Sequence, residues 1–447
     1  MRSGSRVGAS VLRISVIGSG YLGVTHAACM AELGYRVTGL DIDADKVARL
    51  NAGDVPFYEP GLAGLVEEHT ASGRLRFTTS YEVAAQADVH FLCVGTPQRR
   101  GQDAADLSHL DAAVRRLAPL LGHDCLLVGK STVPVGTAAR ILEAVSGLAP
   151  PSTTVDVAWN PEFLREGHAV ADTLAPDRIV LGVVSERSEK VLKELYAPFV
   201  DRGTPLVVAD LATAELTKSA ANAFLATKVS FINAMAEVCE AVGADVTRLS
   251  EGLSHDPRIG DQFIRPGLGF GGGCLPKDLR AFQARARELG VGGALSFLGE
   301  VDAINTRRRS ATVRLVREQC DGELARRRVA VLGGAFKPGS DDIRDSPALY
   351  VAEELSRSGA RVVVHDPKAN QNIRRHHPSL TCADTVLDAC AQADVVVLAT
   401  EWAEFADIDP AVLGAVVSHR RVVDARNALD AEQWKQAAWT YRALGRP

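Results

Sequence analysis

No CxxC pair occurs among the eight cysteines, Cys29, Cys93, Cys125, Cys239, Cys274, Cys320, Cys382 and Cys390. That scatter offers neither zinc-ligand spacing nor a disulfide framework, so no metal is expected and a reducing cytoplasm suits the chain. No apolar run approaches the roughly 18 residues that span a bilayer. No secretory leader is legible either, because Arg2, Arg6 and Arg13 are followed by a strand pattern and a glycine turn rather than an apolar core. Basic charge is not in excess: 50 Lys and Arg stand against 55 Asp and Glu, a net charge of −5. Neither nucleic acid nor a membrane surface is therefore an expected partner, and cations for an anionic ligand must be placed locally. At 46% hydrophobic and 23% charged, the 447 residues are not a disordered, collagen-like or disulfide-stapled chain. Their number calls for two or three domains.

What is present falls into three parts. Up to about Asp210, short apolar runs alternate with helical stretches, among them Arg13–Ile17, Arg36–Leu40, Val89–Val94, Cys125–Gly129, Val155–Trp159 and Ile179–Val183. Strands separated by helices predict an α/β fold with a parallel, Rossmann-type sheet covered on both faces. From about 211 to 310 the pattern is helical, and Ala212 to Val242 lacks both proline and glycine, enough for one long helix. A βα pattern returns in 311–447, with strands at Arg328–Leu332, Arg361–His365 and Asp394–Ala399 and a helix at Ser346–Ser358. This predicts a second, smaller Rossmann-like domain. Residues 1–11 read as a flexible extension before a first domain over 12–210.

Gly18-Ser19-Gly20-Tyr21-Leu22-Gly23 follows a strand and opens a helix. The first glycine permits the tight turn, the second lets backbone approach a pyrophosphate, and the third lets helix and strand pack closely. Asp41 closes the next strand, where a carboxylate binds a ribose diol, so NAD is expected. Lys46, slightly further on, weighs a little toward NADP. Val94-Gly95-Thr96-Pro97 and Ser131-Thr132-Val133-Pro134 end later strands, where a doubly wound sheet places ligands.

The segment from Arg265 to Asp278 is the most informative, with glycines at 267, 269, 271, 272 and 273 before Cys274. Glycine weakens helix and strand alike, so such a loop points to backbone wrapped around a ligand. Cys274 then meets a helix start, with Pro276 expected at the first helical position and Lys277 beside it, a setting that favours thiolate. A nucleophilic role follows; the other seven cysteines read as buried small hydrophobes. In Asn160–Gly167, Glu162 and Glu166 share one face if the segment is helical, or simply begin a surface helix. Lys218 and Asn222, four apart among small residues, either line a site or belong to a solvated face. Arg258, Arg265, Lys337 and Arg344 are candidate cations for an anionic ligand.

Assembled in order, GSGYLG (18–23), PFYEPGL (56–62), VGTP (94–97), STVPVGT (131–137), NPEFLREG (160–167), PDRIVLG (176–182), KSAANAFLA (218–226), GFGGGCLPKD (269–278) and FKPGSDDIRDSP (336–347) resemble the UDP-glucose/GDP-mannose dehydrogenase family. The resemblance implies an NAD domain, a helical dimer-forming middle and a C-terminal sugar-nucleotide domain, in a homodimer or larger assembly. It also implies a four-electron oxidation of a nucleotide-sugar C6 alcohol to a carboxylate with two NAD⁺. By it, Cys274 is the nucleophile, with Lys218, Asn222, Asp278, Glu162 and Thr132 as further catalytic groups. Cofactor contacts fall to Gly18, Gly20, Tyr21, Leu22, Gly23, Asp41, Lys46, Thr96, Thr132, Glu166, Lys277 and Arg344. Substrate contacts fall to Glu162, Phe163, Leu164, Arg165, Glu166, Lys218, Asn222, Arg258, Arg265, Gly269, Phe270, Gly271 and Lys337, with Arg258 able to serve a neighbouring subunit. One departure is Gly273, where the family pattern has serine.

UDP-glucose is the foremost substrate so implied, with dTDP-glucose, GDP-mannose or a UDP-N-acetylhexosamine as alternatives. A two-electron dehydrogenase of the β-hydroxyacid type also joins a Rossmann domain to helices, but has no use for Cys274 or a third domain. A non-catalytic sensor would bind without turnover. Polysaccharide and secondary-metabolite biosynthesis both remain open.

Overall fold

The computed structural model describes residues 12–447. The expected extension at 1–11 lies outside them. The chain divides into two compact units, the first ending at Ala220 and the second running from Ala221 to Pro447.

The first unit carries an eight-stranded sheet, β1 (Arg13–Ile17), β2 (Arg36–Leu40), β3 (Leu75–Thr78), β4 (Val89–Leu92), β5 (Cys125–Gly129), β6 (Val155–Trp159), β7 (Ile179–Gly182) and β8 (Leu206–Ala209). Its order is β3-β2-β1-β4-β5-β6-β7-β8. The strands are apolar on both faces because both faces are covered: Leu126 and Val128 join one core, Cys125 and Leu127 the other. The order reverses between β1 and β4, and a crevice at the carboxyl ends is the ligand position of such sheets.

The sheet departs from all-parallel at one seam. β7 meets β6 antiparallel, Trp159 facing Gly182, and β8 runs parallel to β7. The connection from Asn160 to Arg178 contains only the short helix Ala169–Leu174. It makes no full crossover and leaves from the carboxyl edge, and the two strands meet only at their ends, Gly182 closing β7 opposite Trp159 at the end of β6. That keeps the carboxylate-bearing loop at the ligand edge.

The second unit carries β9 (Arg328–Leu332), β10 (Arg361–His365), β11 (Thr381–Cys382), β12 (Val395–Leu398), β13 (Arg421–Asp424) and β14 (Thr440–Ala443). The order is β11-β10-β9-β12-β13-β14, all parallel, which repeats the arrangement of the first six strands of the first sheet. Helices Leu275–Glu288 and Phe297–Gln319 belong to the same unit. The long helix Leu211–Val242 gives its residues up to Ala220 to the first unit and the rest to the second. Among the described residues, no helix is long and apolar enough to cross a membrane.

Glu215, buried on that long helix, accepts the N–H groups of Gly136 (2.7 Å) and Ala138 (2.6 Å) at the start of the helix Thr137–Leu148. Carboxylate at an unpaired helix start is a strong acceptor position. Glu215→Ala should lower the stability of the first unit by roughly 2–3 kcal/mol, read as a lower urea midpoint. An unchanged midpoint would show that water replaces the carboxylate at no cost.

Candidate active site

In the first unit, the glycine loop has the geometry its spacing predicts. Gly18 sits at φ +97, and a Cβ there would lie 2.9 Å from the Val94 backbone. A Cβ on Gly23 would lie 1.8 Å from the Gly18 carbonyl oxygen. Gly20 differs: its φ is −81, and a Cβ would meet nothing within 4 Å. Among the described residues, nothing fills the space a side chain would take there. Asp41 Oδ2 accepts from the Ser19 N–H (2.9 Å) and from Lys46 Nζ (3.0 Å). Lys46 is thus held on Asp41. Thr96 Oγ1 donates to the Thr132 carbonyl (2.8 Å), and Ser131 Oγ to that of Val94 (2.6 Å), which fastens the two strand-end loops together.

The segment Asn160–Gly167 is a loop, so Glu162 and Glu166 do not share a helix face. Pro161 cannot donate, and Glu162 Oε2 takes the Leu164 N–H (2.7 Å), a local side-chain bond that competes with helix. Glu162 Oε1 pairs with Lys218 Nζ at 3.1 Å. The Phe163 ring lies 5.5 Å from the same ammonium and is stacked by Arg178 at 3.9 Å. Glu166 is buried. Arg165 turns outward to Asp172 (2.7 Å).

In the second unit, three consecutive glycines precede Cys274, each closed to a side chain by the segment 336–347. A Cβ on Gly271 would lie 2.4 Å from the Asp345 carbonyl oxygen, on Gly272 2.8 Å from the Phe336 ring, and on Gly273 2.2 Å from the Arg344 guanidinium. The last obstacle is the end of a flexible side chain. Serine at 273 would therefore push Arg344 aside rather than break the loop. Arg344 is itself paired with Asp342 (2.6 Å). Earlier in the loop, Asn305 brackets Phe270, accepting its N–H (2.8 Å) and donating to its carbonyl (2.9 Å). Arg426 donates to the Gly269 carbonyl (3.0 Å), and Asn233 accepts the Gly267 N–H (2.9 Å).

Cys274 caps the helix Leu275–Glu288, so Pro276 occupies its second position rather than its first. Asp278 is buried between Asn222 Nδ2 (2.7 Å) and Lys277 Nζ (2.5 Å). Lys218 and Asn222, one turn apart on the long helix, are both buried, so neither belongs to a solvated face. Lys337 lies over the Phe336 ring and Arg265 is exposed. Arg258 is exposed and closes back on Asp256 (2.6 Å). The grouping of metal-compatible side chains among the described residues, Glu32, Glu68 and His69, lies on the helices Tyr21–Glu32 and Leu62–Ala71 and includes none of the expected site residues.

Comparison with known proteins now decides the family. Residues 12–200 match the NAD binding domain of the UDP-glucose/GDP-mannose dehydrogenase family, 212–307 its central domain and 330–431 its UDP binding domain. The UDP-glucose 6-dehydrogenase of Rhizobium meliloti is 41% identical over 98% of this chain and 100% of its own. The chain belongs to the UDP-glucose/GDP-mannose dehydrogenase family. Family membership makes it an oxidoreductase with NAD as cofactor. A UDP-glucose dehydrogenase structure from Pyrobaculum islandicum superposes with a TM-score of 0.90 at 38% identity, covering 99% of both chains. A UDP-D-ManNAc dehydrogenase from Pyrococcus horikoshii gives 0.84 at 28% identity, over 97% of this chain and 99% of that one.

Asn305, Asn233, Arg426, Glu59 and Glu215 escaped the sequence reading. Each is a lone polar residue that pins a loop from another element, and no local spacing marks it. The cysteines separate as their burial dictates. Cys274 is exposed, while six others are buried and Cys382 is half-buried. Burial pushes the thiols of Cys29, Cys93, Cys125 and Cys390 up to about 12. Iodoacetamide offered to the folded protein at pH 8 should modify Cys274 about tenfold faster than any other thiol, measured by peptide mass spectrometry. Equal labelling at a second site would contradict this assignment.

Proposed function

We propose that the protein oxidises the C6 alcohol of UDP-glucose to the carboxylate of UDP-glucuronate, with two NAD⁺ reduced per sugar. The observation that carries the reading is the exposed Cys274 at the end of the glycine loop, in a chain aligned over 98% of its length with a UDP-glucose 6-dehydrogenase. Residues 12–210 would hold NAD, 311–447 the nucleotide, and 211–310 the helical middle. When bound, NAD⁺ supplies the hydride acceptor for each oxidation.

The protein's own groups then divide the work. The C6 hydroxyl proton passes to a base, directly or through water, as the first hydride leaves. The Cys274 thiolate adds to the resulting aldehyde, forming a C–S bond while the carbonyl electrons move to oxygen. The Lys218 ammonium and Asn222 amide stabilise that oxyanion. Loss of the second hydride leaves a thioester. Water adds, Asp278 or Glu162 takes its proton, and the C–S bond breaks to give carboxylate and free thiolate. Glu162 on Lys218 and Asn222 on Asp278 form two charge-assisted contacts that would hold these groups ready. Thr132 and Glu166 would stand near the nicotinamide and the attacking water.

The assembly we propose is a homodimer. On the long helix, Phe224, Phe231 and Val238 recur every seven residues and remain exposed, with Val242 beyond them. An apolar stripe of that period is a helix-pairing surface. A cytoplasmic location suits eight cysteines that form no disulfide among the described residues.

Turnover should yield two NADH per UDP-glucose consumed, and Cys274→Ala should abolish uronate formation. One NADH per sugar, or normal uronate yield from the variant, would overturn the covalent scheme. Turnover of dTDP-glucose, GDP-mannose or a UDP-N-acetylhexosamine in preference would reassign the substrate. Phe231→Glu should shift the sedimentation coefficient to that of a monomer; an unchanged coefficient would remove the stripe from the interface.

A further inference from the structure

The segment Pro56–Leu62 carries a carboxylate that none of the roles above uses. Glu59 is 5% exposed. Its Oε2 accepts the Gly167 N–H at 2.6 Å, and its Oε1 accepts the Ala169 N–H at 2.7 Å. The Tyr21 hydroxyl donates to Oε2 as well. Tyr21 directly follows Gly20 and opens the helix Tyr21–Glu32. Its ring lies 5.1 Å from Phe57, in the same segment as Glu59. Burial and the neighbouring carboxylate push the Tyr21 phenol upward, so it remains a donor.

The other end of the same loop is also fixed. Asn160 accepts from Lys130 Nζ (2.9 Å) and the Tyr196 hydroxyl (2.5 Å), and donates to the Val180 carbonyl (2.9 Å). Glu162 and Glu166 therefore lie on a stretch tethered at both ends. The Asn160 tether reaches Lys130 after β5, Val180 in β7 and Tyr196 on the helix Glu186–Val200. The Glu59 tether reaches the first residue of the dinucleotide loop's helix.

We propose that Glu59 is a positioning residue, which couples the dinucleotide loop to the loop bearing Glu162 and Glu166 through Tyr21. This rests on the reading of 160–167 as the acid/base segment. Only a carboxylate serves, because both of its oxygens face donors. Glutamine would set an NH₂ group against an N–H or the phenol. A shift of about 1 Å in a catalytic group costs on the order of a hundredfold in rate, so a loosened tether should register in kcat.

The test follows amide hydrogen exchange in the full-length protein with and without NAD⁺, for wild type, Glu59→Gln and Tyr21→Phe. In wild type, NAD⁺ should slow exchange in peptides spanning 160–172 by about threefold or more. Glu59→Gln should still bind NAD⁺, with Kd changed by less than about threefold by calorimetry, and both variants should lose that slowing. With UDP-glucose, Glu59→Gln should lower kcat by about tenfold or more with little change in KM. Glu59→Asp should recover part of the loss. Retained slowing in the variants would overturn the proposal. So would parallel collapse of NAD⁺ binding and thermal stability, the mark of a purely structural role. If Glu59→Gln does not fold, Tyr21→Phe decides alone, since it removes one hydroxyl. A wild type inactive on UDP-glucose would instead sink the functional reading, and the exchange experiment would still judge the coupling.

Discussion

Backbone N–H groups that leave a strand or enter a helix have no ladder partner, and burying them unpaired is costly. This constraint governs several of the loops that carry candidate site residues, where a buried side chain from a distant part of the chain takes the exposed N–H groups. Asp41 takes the Ser19 N–H in the dinucleotide loop. Glu59 takes those of Gly167 and Ala169, and Glu215 those of Gly136 and Ala138. Asn305 holds both backbone groups of Phe270 in the glycine loop. Acceptors of this kind fix a loop without giving it a regular conformation. Side chains such as Glu162 and Cys274 can then sit on irregular backbone and still be held in place.

Glycine serves two opposite ends in the two units. At Gly18, Gly23, Gly271 and Gly272 the missing side chain makes room for the protein's own backbone or a packed ring. At Gly20 it makes room for nothing in the protein, which is why that position reads as the ligand's. Gly273 is intermediate. The space its side chain would fill is held by the movable guanidinium of Arg344, so the departure from serine alters where a cation rests and leaves the loop path intact.

Six strands of the first sheet, β1, β2, β4, β5, β6 and β7, start where their apolar runs place them, because a strand covered on both faces is a continuous apolar stretch. The long helix is legible for a similar reason, as a stretch without breakers. The edge strands β3, β8, β11 and β14 are not among the apolar runs named from the sequence, since an edge demands less burial, and the interior strand β13 is missed with them. The conformation of 160–167 was not legible, because carboxylates four apart suit a helix equally well. What decides against it is the Glu162 side chain bonding its own loop and the tethers at Asn160 and Gly167. Those tethers come from residues 20 to 108 positions away, and no local spacing encodes them.

The same logic separates two sheets that share one strand order. Gly333 at φ +106 and Asp366 at the end of β10 repeat the roles of Gly18 and Asp41, and Asp366 accepts the Gly334 N–H at 2.8 Å. The resemblance stops at the space beyond. A Cβ on Gly334 would meet Ile373 at 2.3 Å, where Gly20 faces open space. Asp366 is also saturated, taking the N–H groups of Ala335, Lys368 and Ala369 and the indole of Trp402 besides. A carboxylate so engaged has no lone pair left for a ribose diol, and a pyrophosphate approaching Gly334 from its Cβ side would meet Ile373. Strand order therefore fixes where a ligand edge lies in each sheet. The local filling of that edge decides whether a dinucleotide can use it, and it permits one in the first sheet while excluding the same mode in the second.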